Sequence, residues 1–270
     1  MLCCALCGDF INPKMNNLIS FFLGPVDPLV FVGLIAVIFS GAFITSGFGV
    51  GGGVLMTPMV LLLLPPKFGI GLIGPMMLLI SGTGVRQYWK QWDNHCLLVL
   101  LPAMMAGIWV GTHLLSVISA DTVKRIVGAL AICFGVLQYL AIDRPKWKDR
   151  LRPTPPQGVG LGFASGVISA MAHVGGIIFS FYLLPHSRTK EIFVGTTVFL
   201  FFTTGLLKVG TFVYYDILTF PILMLSIALL PSLFLGSITG KWLNRHIPNK
   251  LFIRLICIFV GLMGLRLITA

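Results

Sequence analysis

The residues with the clearest capacity for chemistry lie in Ser46-Gly47-Phe48-Gly49-Val50-Gly51-Gly52-Gly53, five glycines in eight positions. The stretch interrupts apolar sequence, with residues 29–45 before it and 54–64 after it. Hydrocarbon offers no partner to a bare N–H or C=O, so non-helical backbone at membrane depth must be buried in protein or line a cavity. Glycine tolerates positive φ and lets a ligand or a second backbone come close. The stretch therefore reads as a break between two helical pieces. If a helix starts near Gly53, its first N–H groups and the positive end of its dipole favour an anion. Gly49, Gly51, Gly52 and Gly53 are the candidate cradle, with the Thr57 hydroxyl one turn further on. Pro58 falls near the helix start, where its missing N–H costs little. The competing reading is a tight helix crossing through small residues.

A second stretch, 165–176, repeats the theme. It ends in Ala172-His173-Val174-Gly175-Gly176 and keeps a glycine pair. An ionisable residue within a membrane segment is a functional candidate. His173 could donate to an anion or carry a proton in coupling; alternatively it is a neutral ring bonded to a carbonyl freed by the break. Ser81 and Thr83 in one half, and Thr203 and Thr204 in the other, occupy equivalent places and could ligate an oxyanion. Such hydroxyls also commonly bond the carbonyl one turn back. Arg86 and Lys208 sit near segment ends, as vestibule attractors for an anion or as side chains snorkelling to headgroups.

These residues need elements to hold them, and the composition says which. The chain has 270 residues, 57% hydrophobic and 10% charged, with mean hydropathy +0.98. Soluble domains carry about 25% charged residues, so this is an integral membrane protein. The net charge of +11 comes from short basic clusters between apolar spans, the pattern of topology signals and not of nucleic-acid binding. No GxxxxGK[ST], HExxH or GxSxG occurs, and all eight acidic residues fall in or beside loops. Direct ATP drive, metalloprotease and hydrolase chemistry are therefore disfavoured. No cofactor or metal is implied. The scarcity of intramembrane carboxylates favours an anionic or neutral substrate. Cys96, Cys133 and Cys257 read as packing residues. Cys3, Cys4 and Cys7 lack the further partners a metal site needs.

A membrane span takes about 20 apolar residues. Ten helical segments are expected, near 28–46, 53–64, 69–88, 96–118, 122–142, 158–172, 175–185, 191–210, 216–239 and 250–268. The second and seventh are short, and the parity of the chain is the same whether the first two segments cross fully or form a hairpin that re-enters. Residues 1–27 form a polar lead-in, 28–142 a first membrane repeat, 143–157 a basic linker and 158–270 a second repeat. Glycines support the repeat: Gly52-Gly53 match Gly175-Gly176, Gly74 and Gly84 match Gly195 and Gly205, and Gly107 and Gly111 match Gly236 and Gly240. The offset is 123, then 121, then 129, changing at loops and holding within helices. Two consecutive five-helix units must be inverted relative to each other, as in many secondary transporters. Thirteen lysines and arginines fall on the linker side and six on the other. The linker is therefore expected in the cytoplasm with both termini outside the cell membrane.

Residues 47–58, Gly-Phe-Gly-Val-Gly-Gly-Gly-Val-Leu-Met-Thr-Pro, resemble the glycine-rich first-half motif of the sulfite exporter TauE/SafE family of membrane permeases. The length, the basic central linker and the second glycine pair before a short helix are also similar, over about 28–268. The second motif departs from the family pattern: Ala172-His173-Val174 precede the pair and Phe181 stands where Pro58 does in the first half. The resemblance implies export or uptake of small sulfur-containing anions such as sulfite, sulfoacetate or related organosulfonates across the cytoplasmic membrane. The reading is a secondary transporter working by alternating access, with a small anion and the bilayer as partners and a proton or ion as possible coupling species. A channel-like anion conduit, or less favourably a membrane enzyme or assembly factor, is the alternative.

Overall fold

The computed structural model describes residues 28–48, 52–142, 153–187, 189–243 and 249–269. Among them the chain is helical, with no strand. In order, the helices are α1 (Pro28–Phe48), α2 (Gly52–Leu63), α3 (Pro66–Gln87), α4 (Asn94–Val117), α5 (Ala120–Ile142), α6 (Pro155–Ala172), α7 (Gly176–His186), α8 (Lys190–Tyr214), α9 (Phe220–Ala228), α10 (Leu230–Leu243) and α11 (Asn249–Thr269).

Local chemistry sets most of these ends. Pro65 lacks an N–H and ends α2, while Pro66 opens α3 with its fixed φ; Gly69 N–H then closes on the Pro65 carbonyl at 2.9 Å. The Asp93 side chain caps α4 by accepting from the amides of His95 at 2.9 Å and Cys96 at 3.2 Å. Thr189 caps α8 by accepting from the Ile192 amide. Helix α6 begins at Pro155, inside the stretch expected to be linker. There the Thr154 amide donates to Oε1 of Gln157, 2.9 Å away.

Helices α2 and α7 have 12 and 11 residues. At 1.5 Å per residue each is roughly half the thickness of a bilayer core. By length and apolarity alone α3, α4 and α8 suffice to cross, and α9 with α10 makes a fourth span bent by 44°. That bend corrects the expectation of one continuous segment at 216–239. Pro231 sits in the first turn of α10; it has no N–H for the Ile227 carbonyl, and its ring collides with that carbonyl in a straight helix.

The helices pair α4 with α6, α1 with α10, α5 with α11, and α3 with α8. Glycine makes the first two crossings close. A Cβ on Gly111 would lie 2.7 Å from the Val167 carbonyl oxygen, and one on Gly240 would collide with that of Phe43. Small residues allow this backbone approach, which in lipid replaces the hydrophobic drive for helix association. The main apolar cluster includes Leu34, Ile38, Met56, Val60, Ile70, Ile73, Phe212 and Val260. A second, around Leu100, Met104, Phe179 and Leu200, lies beneath α4, α7 and α8. The outer surface carries Leu98, Val117, Leu206, Phe220 and Ile238 exposed. A large apolar exterior is what a lipid-facing protein presents.

Candidate functional site

The start of α2 meets the end of α6. Helix α2 starts at Gly52 and packs on α6, which ends at Ala172. A Cβ on Gly53 would lie 2.5 Å from the carbonyl oxygen of His173 and 3.0 Å from its Cβ. Only glycine admits this approach. The Thr57 hydroxyl is buried and shared between the Gly53 carbonyl at 2.7 Å and the Ala172 carbonyl at 2.9 Å. It thus ties the first turn of α2 to the last residue of α6.

His173 ends α6 in the left-handed region, φ 56°. Such a residue closes a helix C-terminus, here by donating its N–H to the Ser169 carbonyl at 3.1 Å. A non-glycine residue in this region is uncommon and points to a constraint from its surroundings. The imidazole is 8% exposed, lies 6.4 Å edge-on from the Phe212 ring, and has no hydrogen-bond partner on either nitrogen among the described residues. The backbone amides of Val174, Gly175 and Gly176 donate to no described acceptor either. Three free amides, an unpartnered ring and a helix N-terminus therefore share one buried corner. Ser165 Oγ, donating 2.7 Å to the Gly175 carbonyl, holds the corner's backbone in place.

Lys208 changes role. Sequence position suggested a vestibule residue, yet it lies six residues inside α8 and is 6% exposed. Its Nζ donates to the Ser169 carbonyl and to Ser169 Oγ, each at 2.9 Å. The reason is packing: α8 runs on to Tyr214 and turns this residue inward against α6. Thr211 Oγ1 donates to the Lys208 carbonyl at 3.0 Å and lies 3.2 Å from Thr112 Oγ1 of α4. Lys208 also drops out of the loop charges that orient the chain, which sharpens the bias toward the linker side. Arg86, by contrast, is exposed in the last turn of α3.

The remaining predicted residues fall elsewhere. Gly49 and Gly51 lie outside the described residues, and Gly52 is the first residue of α2. The Ser81 hydroxyl donates to the Met77 carbonyl at 2.8 Å, Thr83 to Ile80 at 2.7 Å, and Thr204 to Leu200 at 2.5 Å. These hydrogens are committed to their own helices and leave none for an anion. Thr83 is exposed and Thr203 half-buried. Ser165, Ser169, Thr112 and Thr211 join these contacts without a role expected from sequence. Their signal was spacing: Ser165, Ser169 and His173 recur every four residues, and Thr197, Thr204, Lys208 and Thr211 share one face of α8.

The sequence profile described as sulfite exporter TauE/SafE matches residues 34–267. The chain belongs to this family. The match covers both interrupted helices and the Lys208–Ser169 contact, and membership implies a multi-pass membrane transporter of sulfite-type anions. No curated protein and no solved structure matches the chain. Gly53 and Thr57 of the TauE/SafE glycine stretch thus line one wall of the buried corner, and the variant second stretch with His173 is the other.

Proposed function

We propose that this TauE/SafE chain is a secondary transporter of a small anion, a sulfur oxyanion or organosulfonate, working by alternating access. The carrying observation is the corner where α2 meets the end of α6. There the His173 ring and the amides of Val174–Gly176 are buried without partners among the described residues. Buried polar groups are nearly always satisfied, so orphans grouped at one place suit a ligand or water. Backbone amides at the start of α7 complement negative charge. Broken helices at mid-membrane are a common way for transporters to build such a site.

Two inverted repeats of five helical units account for the packing. On exchanging α1–α5 for α6–α11, with α9 and α10 counted as one unit, α1 on α10 becomes α6 on α4. The α3–α8 and α5–α11 pairs map onto themselves. The glycines follow: Gly107 and Gly111 approach the backbone of Phe163 and Val167, and Gly236 and Gly240 that of Phe39 and Phe43. Rocking of one unit on the other about the junction would expose it to each side in turn, with the basic linker in the cytoplasm.

The experiment is flux into vesicles carrying the purified full-length protein. Saturable sulfite uptake, lost in a His173→Ala, Gly53→Val double variant that still inserts and folds, is the expected result. Flux unchanged in that variant would reject the site, and flux that never saturates would make the protein a channel.

A further inference from the structure

We propose that Lys208 is the sole counter-charge of the anion site, held in reserve on Ser169, and that the site accordingly takes monoanions and refuses dianions. This inference rests on the transport reading and specifies its substrate class.

The argument starts from burial. Among the lysines and arginines whose burial is described, Lys208 is the one that is buried, and no described carboxylate pairs with it. A buried ammonium without a carboxylate is costly. Its present partners, the Ser169 carbonyl and hydroxyl, are neutral and use two of three N–H donors. The same carbonyl already accepts the His173 amide. Ser169 therefore parks the lysine at the negative end of the α6 dipole, one turn from the orphaned imidazole. An arriving anion supplies what Ser169 lacks, a full negative charge, and charge-assisted hydrogen bonds are about twice as strong as neutral ones.

The count of charges sets the valence. The repeat offset of 121 places exposed Gln87 opposite Lys208 in the first half, so the second half alone contributes a cation. The imidazole enters as the neutral ring, since two cations in one dry site repel. One bound monoanion makes the site neutral. A dianion leaves one buried charge unpaired, which is heavily penalised.

Methanesulfonate and sulfate separate the two cases, being similar in size with fixed charges of one and two. Calorimetric titration of the full-length protein in lipid nanodiscs should show methanesulfonate binding about a hundredfold tighter than sulfate. Lys208→Met should collapse that ratio to within about threefold while its thermal stability holds, because the buried ammonium it removes has no carboxylate partner and is itself costly to bury. Lys208→Arg should restore the preference. Ser169→Ala, which removes a competitor for the ammonium, should tighten methanesulfonate by about tenfold. Equal affinity for both anions in the wild type, or a preference that survives Lys208→Met, overturns the valence claim. Unchanged or weaker binding in Ser169→Ala overturns the parking role. If the wild type binds neither anion and its vesicles carry no sulfite, the transport reading itself has failed; sulfite flux with sulfate bound as tightly as methanesulfonate sinks this inference alone.

Discussion

Replacing Gly53 by alanine adds one methyl group where the first turn of α2 meets the end of α6. That carbon would stand 2.5 Å from the His173 carbonyl oxygen, about 0.9 Å inside ordinary contact at 3.4 Å. The obstacle is backbone, which cannot rotate away as a side chain can. The first turn of α2 and the end of α6 must separate by most of that distance. Thr57, bonded to the carbonyls of Gly53 and Ala172, resists the separation. Overpacking of this kind costs about 1–3 kcal/mol. Alanine's better helix propensity returns up to about 1 kcal/mol, so the net loss of stability should be no more than about 3 kcal/mol. Function should suffer more, because a displacement near 1 Å at a positioned site can cost about a hundredfold. Gly160→Ala in α6 is the matched control, with no atom within 4 Å of its added carbon. The assay is initial sulfite uptake into vesicles at equal protein incorporation, alongside thermal unfolding. Gly53→Ala should lose at least about tenfold in rate with unfolding lowered by a few degrees, while Gly160→Ala transports normally. Wild-type rate and stability in Gly53→Ala would refute the close contact and the role given to it.

Other expectations follow from the same packing. Thr57→Val keeps the shape but leaves the Ala172 carbonyl without its hydroxyl, so thermal stability should fall by about 1–3 kcal/mol, read by thermal unfolding of the purified protein. Gly111→Val and Gly240→Val force side chains into the backbones of Val167 and Phe43; both should reduce folded yield on size exclusion, and to similar degrees if the repeats are equivalent. Pro231→Ala returns an N–H to the Ile227 carbonyl, so spin labels on α9 and α10 should report a bend well below 44°. In a variant whose six native cysteines are replaced by serine, a cysteine at Thr154 should resist an impermeant thiol reagent in intact cells and react once the membrane is opened; labelling in intact cells would invert the proposed orientation.

Helix existence was legible because each span announces itself by apolar length, and its ends by Pro65-Pro66, Asp93, Thr189 and the second glycine pair. The short α2 and α7 were legible for the same reason. The bend at Leu229 was not, because a proline in an apolar run is equally compatible with a first turn, a kink or a continuous span; the outcome depends on what α9 and α10 pack against. At the site, sequence marked Gly53, Thr57, His173, Gly175 and Gly176, all of which the fold places at the junction. It placed Lys208 wrongly because distance from a segment end, read along the chain, says nothing about which face turns inward or how far the helix continues. It overvalued Ser81, Thr83 and Thr204 because hydroxyl content alone does not show whether the hydrogen is already given to the preceding turn.

The central claim is that the two interrupted helices together hold an anion. Selenite, a heavier analogue of sulfite, can be located directly by anomalous diffraction from crystals of the full-length protein soaked to saturation. The account predicts one strong selenium peak within hydrogen-bond reach of the Val174–Gly176 amides, with the His173 ring and Lys208 turned toward it. A peak elsewhere in the bundle, or none in that corner at saturation, would contradict it.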